Sequence, residues 1–137
     1  MKIFLDSNIW LRFFLQDIQK QYESVVELLS QIESGRFKSY TSSLIFMEVN
    51  FILEKVYKLK RDEVFDLFVR IQSVRGLTII EKTNLKLSLE YYKQYNLKFP
   101  DCLIASQLPS NTTLISFDEE LSKIKEIVVK KPQEIKL

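Results

Sequence analysis

Ile3-Phe4-Leu5-Asp6-Ser7-Asn8-Ile9 joins a short apolar run to a carboxylate and two small polar side chains. Apolar runs of this length, bounded by polar residues, are typical of a buried strand. Asp, Ser and Asn commonly begin helices, because their side chains accept hydrogen bonds from the first free backbone N–H groups. The segment therefore predicts a strand that ends at a carboxylate and leads directly into a helix.

Three further carboxylates lie inside or beside apolar runs. Glu48 lies within residues 44–53, Asp101 precedes residues 103–105, and Asp118 follows residues 114–117. Ionised carboxylates are rarely buried unless they are paired or bound to a cation. If the fold brings these acids together with Asp6, the chain contains a cation site built from oxygen ligands.

The composition narrows the chemistry that such a site supports. The 137 residues are 46% apolar, enough for a core, and they predict one domain over residues 1–137. The chain has no histidine, which excludes histidine-based nucleophiles, histidine acid–base catalysis and histidine-ligated zinc or iron. Cys102 is the only cysteine, which excludes intramolecular disulfides and thiolate metal clusters. Any metal must be bound by oxygen, which indicates Mg²⁺ or Mn²⁺.

The distribution of apolar residues and charge bears on location and partners. No apolar stretch is long enough to span a bilayer, and Asp6 interrupts the first apolar run too early for a signal peptide. We therefore expect a cytoplasmic protein with no membrane partner. The net charge of +2 is compatible with binding of nucleic acid.

Short apolar segments alternate with helical patterns along the chain. Gly35 and Gly76 each follow a helical pattern and precede a β-like segment, as expected for glycine at a helix C-terminus. The predicted strands lie near residues 2–5, 37–41, 77–80, 113–116 and 127–130. The predicted helices lie near residues 7–15, 19–34, 44–57, 61–75, 84–95 and 99–108, with a short one from residue 118. The pattern predicts an α/β fold, with a parallel sheet covered on both faces and ligands bound beyond the carboxyl ends of its strands.

Two of the carboxylates have a simple structural explanation in helix formation. Asp6 could cap the helix that follows it. Asp101 follows Pro100 and suits the first turn of a helix, where the dipole favours an acid. These alternatives stay open beside the cation-site interpretation.

The other two carboxylates also have alternative explanations. Asp118 could be a helix cap, although Ser116 and Glu119 fit a capping box that would leave Asp118 free. Glu48 could be a boundary residue that reaches solvent. Its helical neighbours three and four positions away are all apolar, however, and a solvated glutamate normally lies on the opposite face.

Four segments resemble the acidic motifs of PIN-domain ribonucleases, most closely the small single-domain toxins of the VapC class. They occur in the family's order and extend over essentially the whole chain: residues 3–9 (IFLDSNI), 43–49 (SLIFMEV), 101–106 (DCLIAS) and 114–121 (LISFDEEL). The residues that match the family's acidic quartet are Asp6, Glu48, Asp101 and Asp118. Asn8 and Ser116 match its accompanying polar positions.

The resemblance implies a three-layer domain with a five-stranded parallel sheet, helices on both faces and the acids at its carboxyl edge. It also implies Mg²⁺- or Mn²⁺-dependent endoribonuclease activity, homodimerisation and neutralisation by a small antitoxin protein. In this hypothesis Asp6 and Asp101 are the principal ligands, Asp118 and Glu48 complete the site, and water hydrolyses the RNA phosphodiester. The accompanying polar residues would orient a ligand or the scissile phosphate.

The first predicted helix raises two questions about binding. Arg12 lies soon after Asp6 and is the first candidate for a contact with a substrate phosphate. Trp10, Phe13 and Phe14 crowd the same helix, where core packing is the favoured interpretation. A dimer contact or an antitoxin groove is the alternative, because aromatic residues are enriched at interfaces.

Other function classes compete with a toxin nuclease. A signalling receiver domain is also α/β, but it needs a phosphoacceptor Asp after the third strand, where this chain has Glu81. A non-catalytic PIN-like binding module is disfavoured because all four acids are present. A nuclease that acts without an antitoxin, in RNA processing or on DNA, remains an open alternative.

Overall fold

Five short strands form one parallel sheet in the computed structural model, which describes residues 1–135. The strands are β1 (Lys2–Leu5), β2 (Lys38–Ser42), β3 (Leu77–Ile80), β4 (Thr112–Ile115) and β5 (Val128–Lys130). They lie in the order β3-β2-β1-β4-β5, and all neighbouring pairs are parallel. The prediction of an α/β fold with a five-stranded parallel sheet is confirmed.

Six α-helices connect these strands within residues 1–135. They are α1 (Ser7–Leu15), α2 (Gln19–Glu33), α3 (Ser43–Phe51), α4 (Arg61–Gln72), α5 (Leu85–Gln94) and α6 (Phe99–Ser106). Parallel crossovers are right-handed, so the path from β1 through β2 to β3 puts α1–α4 on one face, and the return to β4 puts α5 and α6 on the other. No helix in this part of the chain combines the length and apolar character needed to cross a bilayer.

The central strand β1 is buried between the two helical layers. Its residues 3–5 are all 0% exposed, which explains why its sequence is continuously apolar rather than alternating. Trp10 packs beneath it and donates its indole N–H to Oγ1 of Thr41 over 3.2 Å. The Thr41 hydroxyl in turn donates to the carbonyl oxygen of Leu5 over 3.0 Å. Trp10 is therefore a core residue, as the favoured interpretation predicted.

The ends of several elements differ from the predicted bounds. The predicted helix over residues 44–57 is α-helical to Phe51 and then forms a π-helical segment, Ile52–Val56, closed by a hydrogen bond from Tyr57 N to Ile52 O over 3.2 Å. The predicted short helix from residue 118 is a 3₁₀ turn, Glu120–Lys123. A second 3₁₀ turn, Pro132–Glu134, was not predicted. Hydrophobic periodicity specifies neither a π-helical nor a 3₁₀ turn, because both are too short to establish a period.

The order of the strands reverses at β1, which has β2 on one side and β4 on the other. Open α/β sheets bind ligands at such a switch point, outside the carboxyl ends of the strands. Asp6 directly follows β1, and Ser116 directly follows β4. Leu5 pairs with Ile115, so the two polar residues leave the sheet side by side.

Gly35 and Gly76 both adopt the left-handed conformation expected after a helix, with φ of +87° and +84°. A Cβ atom at Gly35 would meet nothing within 4 Å, whereas one at Gly76 would lie 3.2 Å from the backbone oxygen of Ile32.

We expect Gly35→Ala to lower the free energy of unfolding by about 1 kcal/mol, the cost of this backbone for an L residue. We expect Gly76→Ala to lower it further because the backbone oxygen must move. Urea denaturation measures both losses, and equal losses would contradict the importance of the close approach.

Candidate functional site

The hydrogen bonds of Asp6 hold its carboxylate in place at the sheet edge. Its backbone N–H donates to the carbonyl oxygen of Ile115 over 3.0 Å, which extends the pairing of β1 and β4 by one residue. Its Oδ1 accepts from the backbone N–H of Ser7, and its Oδ2 accepts from the hydroxyl of Ser116, both over 2.8 Å. Asp6 is only 6% exposed and also occupies the N-cap of α1. The capping explanation therefore applies to Asp6, and its role as a cation ligand stays a prediction.

Asn8 and Ser116 form a polar clamp across the ends of β1 and β4. The side-chain amide of Asn8 donates to Ser116 Oγ over 2.9 Å, and its carbonyl oxygen accepts from the backbone N–H of Phe117 over 3.0 Å. The Ser116 hydroxyl thus donates its single hydrogen to Asp6 and accepts from Asn8 and from the backbone N–H of Asp118. These contacts fix the direction in which the Asp6 carboxylate points.

The segment after β4 is organised differently from the predicted capping box. Ser116 Oγ accepts from Asp118 N rather than from Glu119 N, and Glu119 forms an ion pair with Lys131 over 3.2 Å. Oδ1 of Asp118 accepts from the backbone N–H of Glu120 over 3.0 Å. The predicted box is wrong because Asp118 itself begins the following turn. Asp118 is also exposed, in contrast to the buried Asp6.

Glu48 and Asp101 reach the same region from α3 and α6. Burial and the nearby charges of Asp6 and Asp101 raise the pKa of Glu48 from 4.5 to about 7, against the opposing effect of a hydrogen bond with the Ser7 side chain. Burial also raises the pKa of Asp101, and the charge of Asp118 adds to the effect, while Lys98 opposes it. Glu48 is half-buried and its pKa responds to the charges of the other acids, while its role as a ligand stays a prediction.

The pKa of Asp6 is shifted by the same kinds of interaction. Burial raises it, the hydrogen bonds from Ser116 and Ser7 lower it, and the charges of Asp101 and Asp118 raise it again. The fold thus brings carboxylates from four separate segments close enough to repel one another. Such repulsion is relieved either by protonation or by a bound cation.

The chemistry of this donor set fits a hard divalent cation. Its charged groups are all carboxylates, and neither imidazole nor thiolate competes, which matches the preference of Mg²⁺ and Mn²⁺ for oxygen. Within residues 1–135, no three acidic or cysteine side chains are already gathered into a ready-made cluster that could hold a metal ion.

Arg12 lies at the far end of α1 from Asp6. It occupies the last turn of the helix, whereas Asp6 precedes the first turn. Its guanidinium is paired with the carboxylate of Asp17 over 3.1 Å, and its side chain is 16% exposed. The role of Arg12 as a phosphate contact therefore stays a prediction.

Sequence reasoning did not single out two residues that act on the site. Ser7 hydrogen-bonds with Glu48, and Lys98 acts electrostatically on Asp101. Lys98 was detectable, because it lies three residues before Asp101 at the beginning of a predicted helix. The contact of Ser7 required knowledge of how α1 packs against α3.

Comparison with known protein families identifies the family to which this domain belongs. The family model described as PIN domain matches residues 3–127, which include the four carboxylates and the clamp. The chain belongs to the PIN domain family. PIN domains are nucleases that generally use divalent metal ions, in agreement with the donor set found here.

Solved structures with the same fold align with almost the whole PIN domain. A chain of VapBC2 from Rickettsia felis, bound to a DNA fragment from its promoter, is 21% identical with a TM-score of 0.69, covering 96% of this chain and 98% of that one. A chain of VapBC-1 from nontypeable Haemophilus influenzae is 15% identical with a TM-score of 0.69, covering 98% and 100%. A chain of FitAcB from Neisseria gonorrhoeae is 15% identical with a TM-score of 0.67, also covering 98% and 100%. No curated protein matches the sequence.

The raised pKa of Glu48 makes the stability of the metal-free PIN domain depend on pH. The folded state holds a proton on Glu48 more tightly than the unfolded state, so the free energy of unfolding falls as pH rises from 4.5 to about 7. We expect Glu48→Gln to be more stable than wild type at pH 8 by about 1 kcal/mol, allowing for solvent screening, and nearly equal to it at pH 4. Urea denaturation in EDTA measures the difference.

Glu90→Gln is the matched control, because Glu90 is exposed on α5. It should leave the difference between the two pH values as it is in wild type. A Glu48→Gln variant with the same pH dependence as wild type would show that the Glu48 carboxylate is not coupled to the site.

Proposed function

We propose that this PIN domain is a Mg²⁺- or Mn²⁺-dependent endoribonuclease and the toxin component of a toxin–antitoxin pair. The observation that carries the proposal is the meeting of carboxylates from four chain segments at the switch point of the sheet. A protein that needed these side chains only for capping would not have to place them within reach of one another's charge. Their mutual repulsion costs free energy in the metal-free state, which is consistent with carboxylates that are retained for a ligand.

Each residue of the site has a proposed role. Asp6 and Asp101 would hold the cation, with Asp118 and Glu48 completing or orienting its environment. When bound, Mg²⁺ or Mn²⁺ would activate water for attack on phosphorus and offset the charge that develops on the phosphate. In-line attack by water would leave a 5′-phosphate and a 3′-hydroxyl.

Asn8 and Ser116 are proposed to act as positioning residues. Their clamp presents Asp6 in one orientation before any ligand arrives, since both Asp6 oxygens accept a hydrogen bond at 2.8 Å. Pre-oriented ligands lose less conformational freedom on binding, which is the usual contribution of such supporting hydrogen bonds. The absence of histidine also agrees with this mechanism, because it requires no imidazole base.

Two features support protein partners for the nuclease. Phe13 and the neighbouring α2 and α4 line an apolar groove of about 550 Å³, which also contains the exposed side chains of Val26 and Val69. A small antitoxin that covers this groove fits the similarity to chains of VapBC2, VapBC-1 and FitAcB. The exposed Met47 and Phe51 on α3 support a homodimer contact. We propose that the nuclease acts in the cytoplasm, where an RNA substrate and a small antitoxin would be available.

The nuclease proposal is tested with purified protein and a labelled single-stranded RNA. We expect cleavage with Mg²⁺ or Mn²⁺, none in EDTA, and a fall of at least about 100-fold in Asp6→Asn and Asp101→Asn, because loss of a principal ligand removes the activation of water. Glu119→Gln is the control, since this acid is paired with Lys131 and is assigned no role at the site.

Two additional measurements make the result decisive. Mg²⁺ should raise the thermal midpoint of wild type but not of Asp101→Asn, which reports ion binding independently of turnover. Undiminished cleavage by either asparagine variant would overturn the mechanism, and metal-dependent cleavage of DNA in preference to RNA would assign a different substrate. RNA binding without cleavage would indicate the non-catalytic alternative.

The antitoxin proposal is tested through the genomic neighbourhood. We expect an adjacent reading frame to encode a small DNA-binding protein that co-purifies with this chain and inhibits its RNA cleavage. Val69→Asp, which places a charge in the apolar groove, should weaken that complex while cleavage by the free domain is kept. Cleavage that proceeds unchanged in the presence of the neighbouring protein would favour a nuclease that acts without an antitoxin.

A further inference from the structure

A second cavity opens directly beside the carboxylates. It has a volume of about 640 Å³, and Asp101 and Asp118 form one of its walls. The remaining lining residues lie around α5, the start of α6 and the turn after β4, and they are Tyr92, Asn96, Leu97, Lys98, Phe99, Glu120 and Lys123. A substrate held at the carboxylates would therefore extend into this cavity.

The lining of the cavity includes an exposed aromatic ring that packs against a second ring. Tyr92 is 54% exposed although it lies next to the proposed active site. Its ring packs edge-on against Phe99, with ring centroids 5.6 Å apart and planes at 87°. The contact leaves the Tyr92 ring held by the protein while much of its surface remains available. Rings held in this way stack with the bases of single-stranded nucleic acid.

Two ammonium groups, those of Lys98 and Lys123, line the cavity and can contact a phosphate, whereas Asp101 and Asp118 belong to the proposed cation site. Lys98 lines the cavity together with Asp101 and lies three residues before it in the chain, so its ammonium group can contact a phosphate held next to the carboxylates. Lys123 also lines the cavity and is paired with Glu120 over 2.9 Å. The side-chain amide of Asn96 offers both a donor and an acceptor to a base edge.

We propose that this cavity is a nucleotide subsite, in which Tyr92 stacks with a base of single-stranded RNA next to the scissile phosphate and Lys98 contacts the adjoining phosphate. The proposal rests on the nuclease function argued above. Double-stranded RNA would not satisfy the site, because its bases are already stacked on one another. A protein interface is less consistent with this surface, because lysine and glutamate are depleted at interface cores.

The proposal is tested by comparing Tyr92→Ala and Tyr92→Phe. Loss of one stacking contact should raise the KM for a short single-stranded RNA by about 10-fold, while the phenylalanine variant should stay within about twofold of wild type. Tyr57→Ala is the matched control, because Tyr57 is an exposed tyrosine that does not line the cavity. Lys98→Gln should reduce the slope of log affinity against log salt by about one.

Binding is measured separately from cleavage in an Asp6→Asn background. The probe is a 12-nucleotide RNA with 2-aminopurine at the position next to the cleaved bond, whose fluorescence should be quenched in the complex and recover with Tyr92→Ala. Unchanged affinity and KM in Tyr92→Ala, with RNA cleavage by wild type intact, would overturn the subsite but not the nuclease. A wild-type protein that binds RNA without cleaving it would overturn the nuclease alone.

Measurement of the oligomeric state distinguishes a nucleotide subsite from a dimer interface that includes Tyr92. Leu85 and Leu89 are also exposed on α5, so that a dimer contact could include Tyr92. Sedimentation of Tyr92→Ala should match wild type if the ring binds RNA. A shift from dimer to monomer with unchanged RNA affinity would assign the ring to a protein interface and overturn the proposal.

Discussion

The hydrogen bond from the Ser116 hydroxyl to Asp6 is the contact on which the proposed site depends. It exists because β1 and β4 are paired in parallel register and end at the same level, although their polar residues are 110 positions apart. The same hydroxyl accepts from Asn8 and from the backbone of Asp118. Two of the segments that resemble PIN motifs, residues 3–9 and 114–121, are therefore organised around an oxygen atom that is not itself a proposed ligand.

The fold holds carboxylates that repel one another at the point where the strand order reverses. Burial raises the pKa of Asp6, Glu48 and Asp101, and the neighbouring acids raise each of them further. The surrounding fold tolerates this because residues 3–5 of β1 are fully buried and the strand is paired with both β2 and β4. Stability supplied by the centre of the sheet thus permits an unfavourable charge arrangement at its edge, as is common at functional sites.

The sequence predicted the features that depend on local pattern. The bounds of β1, α1 and β3 coincide with the predicted ones, because an apolar run, a capping group or a left-handed glycine marks each boundary. It could not predict the π-helical end of α3 or the turn made by Asp118, which depend on hydrogen bonds between particular atoms. The acids themselves were identifiable, but their coupling, the contact of Ser7 with Glu48 and the cavity beside Tyr92 arise only from tertiary packing.

A pKa of about 7 for Glu48 has an additional consequence in a chain without histidine. In most proteins, imidazole groups dominate proton exchange with solvent near neutrality and obscure any single carboxylate. Here no imidazole contributes, so proton uptake or release by a carboxylate at the sheet edge is easier to detect near neutral pH. A cation that displaces the Glu48 proton would thus leave a signature in the buffer dependence of the binding enthalpy. The protons released on cation binding would therefore report on the carboxylates at the switch point.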